Sequence, residues 1–210
     1  MRKNHHFSLD DPEAVKRLIR ENPWATLVST TSRGLVASHY PVLLDENREE
    51  ISVVSHVGRP DEKIHELGRA EAILIIEGPN GYISPGWYDE RPAVPTWNFV
   101  VAHLYGVPEV LSDRENLDVL ARLVDHFEDP MPSPRRMDGT VENAAYAREI
   151  VGGTAGFRFT ATRFTAKNKM SQNKDVATVV RVLQGLESTG PYRNALLARE
   201  MRRVHGLEAR

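Results

Sequence analysis

Residues 24–57 read WATLVSTTSRGLVASHYPVLLDENREEISVVSHV, and this stretch decides the fold class. Trp24 to Thr31 alternates apolar and small polar residues, the pattern of a half-buried strand. Ser32-Arg33-Gly34 is turn chemistry, and Leu35 to Leu44 supplies the hairpin partner. Asp45-Glu46-Asn47 makes a polar turn before a third strand, Ile51 to Val57. Three strands with short connections point to antiparallel pairing, since a parallel pair needs a crossover of a dozen residues or more.

Working outward, Asp10 or Asp11 caps a first helix with Pro12 at its start and Val15, Leu18 and Ile19 at helical spacing; Asn22-Pro23 stops it. On the other side, Gly58-Arg59-Pro60-Asp61 opens a short helix through about Leu67. Ala72 to Glu77 reads as a buried strand, Gly78-Pro79-Asn80-Gly81 as a turn, and Tyr82 to Tyr88 as extended chain. Val94 to Val110 has room for a long strand bent at Gly106-Val107-Pro108. About six strands interrupted by one helix give a mainly β, α+β fold, a closed or half-closed antiparallel barrel rather than a doubly wound sheet. Beyond it, Ser112 and Glu115 form a capping box before a stripe of Leu117, Leu120, Leu123, Val124 and Phe127. Asp129 to Pro134 is a rigid loop, Asn143 to Val151 a helix, and Thr154 to Thr165 a further strand anchored by Phe157, Phe159 and Phe164. Two helices split at Thr189-Gly190-Pro191 end the chain. The expected division is a barrel domain over residues 1–173 with a helical extension of the same domain over 174–210.

The composition narrows the chemistry. The chain has 210 residues and a net charge of -2, so no basic surplus draws nucleic acid in bulk. It has no cysteine, which removes disulfides, thiolate-held metals and thiol nucleophiles. Redox work then needs a borrowed cofactor. The amino-terminal MRKNHHFSLDD lacks the apolar run of a signal peptide, and no stretch approaches the ~20 apolar residues of a membrane span. A soluble cytoplasmic protein without membrane contact is the expectation.

Four segments hold more special residues than a core needs. Ser38-His39 and Ser55-His56 sit on strands expected to be neighbours; without a third ligand they make no metal site. Arg59 and Lys63 flank the start of the helix at Pro60, where free amides suit a phosphate or where the two are solvated charges. Thr96 and Asn98 share one strand face opposite Trp97, within an aromatic-rich run that fits either a core or a planar ring system. Lys169, Ser171 and Gln172 offer a cation, a hydroxyl and an amide, suited to an anion or to a polar strand exit.

In their order along the chain these runs resemble the PaiB-like proteins, a branch of the FMN-binding split-barrel superfamily. The resemblance is carried by Ala37-Ser38-His39-Tyr40-Pro41, Ser55-His56 with Arg59, Gly78 to Pro85, Trp87-Tyr88, Val94 to Phe99, and Lys169 to Asn173. It implies a split β-barrel, a homodimer with cofactor pockets at the subunit interface, and FMN as ligand. It implies Arg59 and Lys63, with Ser38 or Ser55, for the FMN phosphate, and Thr96, Trp97 and Asn98 for the ring, with Lys169, Ser171 and Gln172 closing the pocket from the same or the partner subunit. Where many relatives have an Asn-Pro pair and an aromatic, this chain has Pro60-Asp61-Glu62-Lys63. The family also brings the roles of flavin-dependent oxidoreductase and of transcriptional regulator, the latter with DNA as partner. The residues show no DNA-reading element, since Arg193, Arg199, Arg202 and Arg203 read as a solvated basic face.

A second branch, the piperazate synthases, is similar in sequence yet uses haem and forms a nitrogen–nitrogen bond in a hydroxylated ornithine. In a chain without cysteine, histidine is the axial ligand to expect. His56 is the first candidate and His39 the second.

Overall fold

The expected hairpin forms as β1 (Trp24–Thr31) and β2 (Gly34–Pro41), with register running from Trp24↔Pro41 to Thr31↔Gly34. Gly34 closes the two-residue loop at a φ of 112°, a conformation that disfavours a side chain. The hairpin partner is shorter than the sequence implied. Val42 leaves the ladder to donate its N–H to the Pro23 carbonyl, and β3 (Leu43–Leu44) belongs to a different sheet. These coordinates are a computed structural model, which describes residues 1–2, 4–89 and 92–207.

The remaining elements follow in chain order. α1 (Pro12–Glu21) precedes the hairpin; β4 (Ser52–Gly58), α2 (Arg59–Ile64), β5 (Ala72–Ile83) and β6 (Thr96–Gly106) come after it. Then come β7 (Glu109–Val110), α3 (Asp113–Glu128), α4 (Val141–Ile150), β8 (Thr154–Thr160), β9 (Arg163–Lys169), α5 (Val176–Glu187) and α6 (Ala195–Val204). One sheet has the order β2-β1-β5-β6-β9 and the other β3-β4-β8-β7. None of the described helices is long and apolar enough to cross a membrane.

Several expectations change. β5 runs through Gly78-Pro79-Asn80-Gly81 instead of turning there. The ladder with β1 ends at Ile76, so Pro79 lies where no β1 carbonyl needs an N–H donor. Tyr82 to Tyr88 is not extended throughout: Ser84 accepts from the Gly86 amide and caps a 3-10 turn at Pro85–Trp87. The single strand expected over Thr154 to Thr165 is two, because Ala161 donates to Ile51 and Thr162 to Tyr105, turning the chain between sheets. β2 and β4, expected to be neighbours, lie in different sheets.

The chain divides into two compact units. The larger comprises Pro12–Ile76 and His103–Phe164. Its core includes Leu27, Leu74, Ile76, Phe157 and Phe159, all buried, each worth about 1.5–3 kcal/mol of burial. The capping box at Ser112 and Glu115 forms as expected. The face that α3 buries is rotated, however: Asn116, Val119 and Leu123 are buried, while Phe127 is 46% exposed. Asn116 lies against β8 at Gly156, where an added Cβ would come within 2.9 Å of it. A polar residue therefore takes a position on the packed face. The smaller unit comprises Met1–Asp11, Glu77–Ala102 and Thr165–Arg210. Ile83, Met170, Leu183, Leu186 and Leu197 form its interior, so α5 and α6 are part of its core.

Candidate cofactor sites

In the larger unit, the side chains of β2 alternate between its two faces. Ser38 points inward, where its Oγ lies 2.9 Å from Nε2 of His65; Nδ1 of the same ring lies 2.9 Å from Ser29 Oγ. His65 is 2% exposed, and burial holds its pKa below the ordinary histidine value against the opposing charge of Asp61. No local motif marks it in the sequence, since its partners Ser29 and Ser38 lie 36 and 27 residues away. Tyr40, on the same face, donates to Asp61 Oδ2 at 3.0 Å, and burial pushes its hydroxyl up to about 12. His39 is on the opposite face, exposed, bonded to Thr26 and stacked on Trp24 at 6.2 Å.

Ser55 is buried and donates to the Pro41 carbonyl at 2.5 Å. Its neighbour His56 lines a cavity of about 470 Å³ with residues of α3 and α4. The Nδ1 atom of His56 is buried without a hydrogen-bond partner, and burial lowers the pKa of the ring. Burial thus favours the neutral imidazole, the form in which a histidine at a cavity wall could serve as an iron ligand.

Arg59 begins α2 but its guanidinium already has partners. Nη1 meets Glu62 at 3.0 Å and Nη2 meets Asp113 at 2.9 Å, while Nε donates to the Gly152 carbonyl. The Glu62 hydrogen bond raises its pKa first, with Asp113 adding to it. Asp61 and Glu62 occupy the first turn of α2, so that helix start carries its own anions. Lys63 is exposed beside a hollow lined by Glu62 and Glu66.

The other candidates belong to the smaller unit. Thr96 Oγ1 accepts a hydrogen bond from Lys169 Nζ. Burial lowers the Lys169 pKa, and the charge of Lys167 lowers it further. Among the described residues neither lysine has a carboxylate partner. Lys167 is thus a second cation, two positions from Lys169 on the same strand face, a spacing of two being the signal that pairs them. Asn98 is fully buried: its amide donates to Ser171 Oγ at 2.9 Å and to Met201 Sδ at 3.6 Å, while its Oδ1 has no partner. Trp97 faces the other way, 51% exposed, with Nε1 donating to Asn80 Oδ1 at 3.1 Å. Thr96, Trp97 and Asn98 therefore do not form one wall. Gln172 folds back on its own turn, accepting from the Met170 amide at 2.7 Å and donating to the Asn168 carbonyl.

Two cations and a hydroxyl without a carboxylate suit a phosphate. That chemistry agrees with a family match. A model described as "Putative FMN-binding domain" covers residues 1–163. The chain belongs to that family. The PaiB-like resemblance holds as well: this FMN-binding domain protein is 24% identical over 184 residues to protease synthase and sporulation protein PAI 2 of Bacillus subtilis, covering 87% of each chain. In structure it is similar to the FAD and haem binding protein from Mycobacterium smegmatis, with a TM-score of 0.59 at 16% identity over 82% of this chain and 78% of that one. The flavocytochrome Anf3 from Azotobacter vinelandii gives the same TM-score at 13% identity, over 86% of this chain and 78% of that one. At these identities the likeness is one of fold, the split barrel. The family match ends at residue 163, so Lys167, Lys169, Ser171 and Gln172 lie beyond it.

Proposed function

We propose that this protein binds FMN as a homodimer and acts as a flavin-dependent oxidoreductase. One observation supports the reading above the others: Lys169, bonded to Thr96 and repelled by Lys167, has no carboxylate partner among the described residues. A part-buried ammonium group in that position lowers its cost by meeting an anion. Lys167, Lys169 and Thr96 would hold the phosphate of FMN. The flavin supplies one- or two-electron transfer when bound. The regulator role receives less support, since Arg202 is held by Glu187 and Arg203 by Glu200 rather than left open to a phosphate backbone.

The test is a visible spectrum of protein purified without added cofactor, with flavin released and quantified. Flavin is expected, with loss in Lys167→Ala/Lys169→Ala and retention in Arg59→Ala. A colourless protein that takes up no added FMN would overturn the reading. A Soret band that collapses in His56→Ala would replace FMN by haem, with His56 as axial ligand and the nitrogen–nitrogen bond chemistry of the piperazate synthases as the reaction to assay. Light scattering tests the dimer.

A further inference from the structure

The larger unit contains a cavity that the flavin reading leaves unused. Its volume is about 470 Å³, within the range of about 300–1,000 Å³ typical of small-molecule pockets. Leu120 and Val124 of α3 and Ala147 and Ile150 of α4 give it mostly apolar walls. Leu120 and Val124 belong to the stripe that the sequence assigned to packing. The rotation of α3 onto Asn116, Val119 and Leu123 leaves them facing this space instead. Apolar walls of this size favour a ligand with an apolar body, because burial removes both surfaces from water.

The polar groups decide which one. Among the described residues no aspartate or glutamate lines the cavity. Arg136 is committed to Asp125 at 2.9 Å and to Asp129 at 2.5 Å. Arg135 differs: its backbone N–H donates to Glu128 at 2.7 Å, and its guanidinium meets no carboxylate among the described residues. Opposite charge is thus available to an anion at one place on the lining. Further hydrogen-bonding groups on the lining come from Asn143, Tyr146 and Thr154, with the His56 ring on β4.

We infer that this cavity binds a small monocarboxylate with an apolar body, its carboxylate paired with Arg135 and its chain lying between α3 and α4. The inference is independent of flavin in the smaller unit. It also gives α4 a purpose beyond packing. Only Ala147 of that helix is buried, and Ile150 is 51% exposed, so the protein core alone gives little reason for its apolar face.

The experiment is calorimetric titration of the full chain with octanoate and, as an uncharged match, 1-octanol. Octanoate is expected to bind one per chain, about tenfold more tightly than octanol, the ratio that one charge-assisted contact supplies. Arg135→Gln is expected to erase that ratio while leaving octanol binding unchanged. Ala147→Phe is expected to weaken both ligands by filling the space. Should that variant fail to fold, Ile150→Asp, at a half-exposed position on the same wall, is expected to weaken both ligands, octanoate the more. Absence of binding by either ligand, or a preference for octanoate that survives Arg135→Gln, would overturn the inference. So would haem that excludes octanoate and whose Soret band depends on His56. Flavin content measured on the same samples reports separately on the proposed cofactor.

Discussion

Asn98 donates its side-chain amide to Ser171 Oγ over 2.9 Å, inside the smaller unit. Ser171 holds a backbone φ of 65°, a left-handed conformation that an L-residue adopts at a cost. Both residues are buried, so the hydroxyl serves the protein before it serves any ligand. Ser171→Ala leaves the Asn98 amide short of a partner and is expected to cost about 1–3 kcal/mol in chemical denaturation. Ser171→Gly loses the same bond but relaxes the backbone, so it is expected to be the milder change. Equal losses would show that the left-handed turn is unstrained.

The pair of hydroxyls around His65 makes a pH prediction. Burial lowers the pKa of His65, and of His56, below the unfolded value near 6.5. The folded state therefore prefers the neutral rings. Stability from this source is present above pH ~6.5 and is lost as pH falls through the lowered values. Urea midpoints are expected to drop between pH 7.5 and 5.5. His65→Gln is expected to be less stable at pH 7.5, since Ser29 and Ser38 lose their partner, yet to show a shallower drop. An identical slope in the variant would remove His65 as a source.

Tyr40 acts at the other end of the scale. Its hydroxyl, raised to about 12 chiefly by burial, prefers the protonated form in the folded state. Its contribution is complete below pH ~10 and disappears as pH rises through about 12, by about 3 kcal/mol. Tyr40→Phe gives up the bond to Asp61, costing about 1 kcal/mol at pH 8. The variant's stability is expected to fall less steeply than the wild type's above pH 10. Parallel curves would contradict this.

Gly185 of α5 lies under the indole of Trp87, where a Cβ would come within 2.4 Å of Cε2. Gly185→Ala is expected to destabilise by about 1–3 kcal/mol through overpacking, with a change in tryptophan emission. Helix propensity alone would favour alanine there by about 1 kcal/mol. The sign of the measured change thus decides whether the contact with Trp87 dominates.

Much of the architecture was legible because it is written in local chemistry. The Ser32-Arg33-Gly34 loop and the Ser112 and Glu115 cap each depend on residues close in sequence. At Gly106-Val107-Pro108 the expected single bent strand instead ends, and β6 and β7 join different sheets. The Gly78-Pro79-Asn80-Gly81 run was misread because a proline stops a strand only where a neighbour needs its N–H, and β1 ends before reaching it. The site was less legible for the same kind of reason. Residue type marked Arg59 and Lys169 alike as cations for an anion, but Arg59 meets Glu62 and Asp113, far along the chain in one case, while Lys169 meets Thr96.

What the sequence determined by itself is the family, the antiparallel class and that any redox work would need a borrowed cofactor, since these follow from ordered local motifs and from the lack of cysteine. Only the tertiary structure decided which polar groups remain unspent. Ser38, Ser55 and the Asn98 amide find partners within the protein, whereas among the described residues Lys167, Lys169 and Arg135 find no carboxylate, and Asn98 Oδ1 and His56 Nδ1 keep no partner. Availability for a ligand is a property of what surrounds a group in space, and residues distant in sequence supply those surroundings.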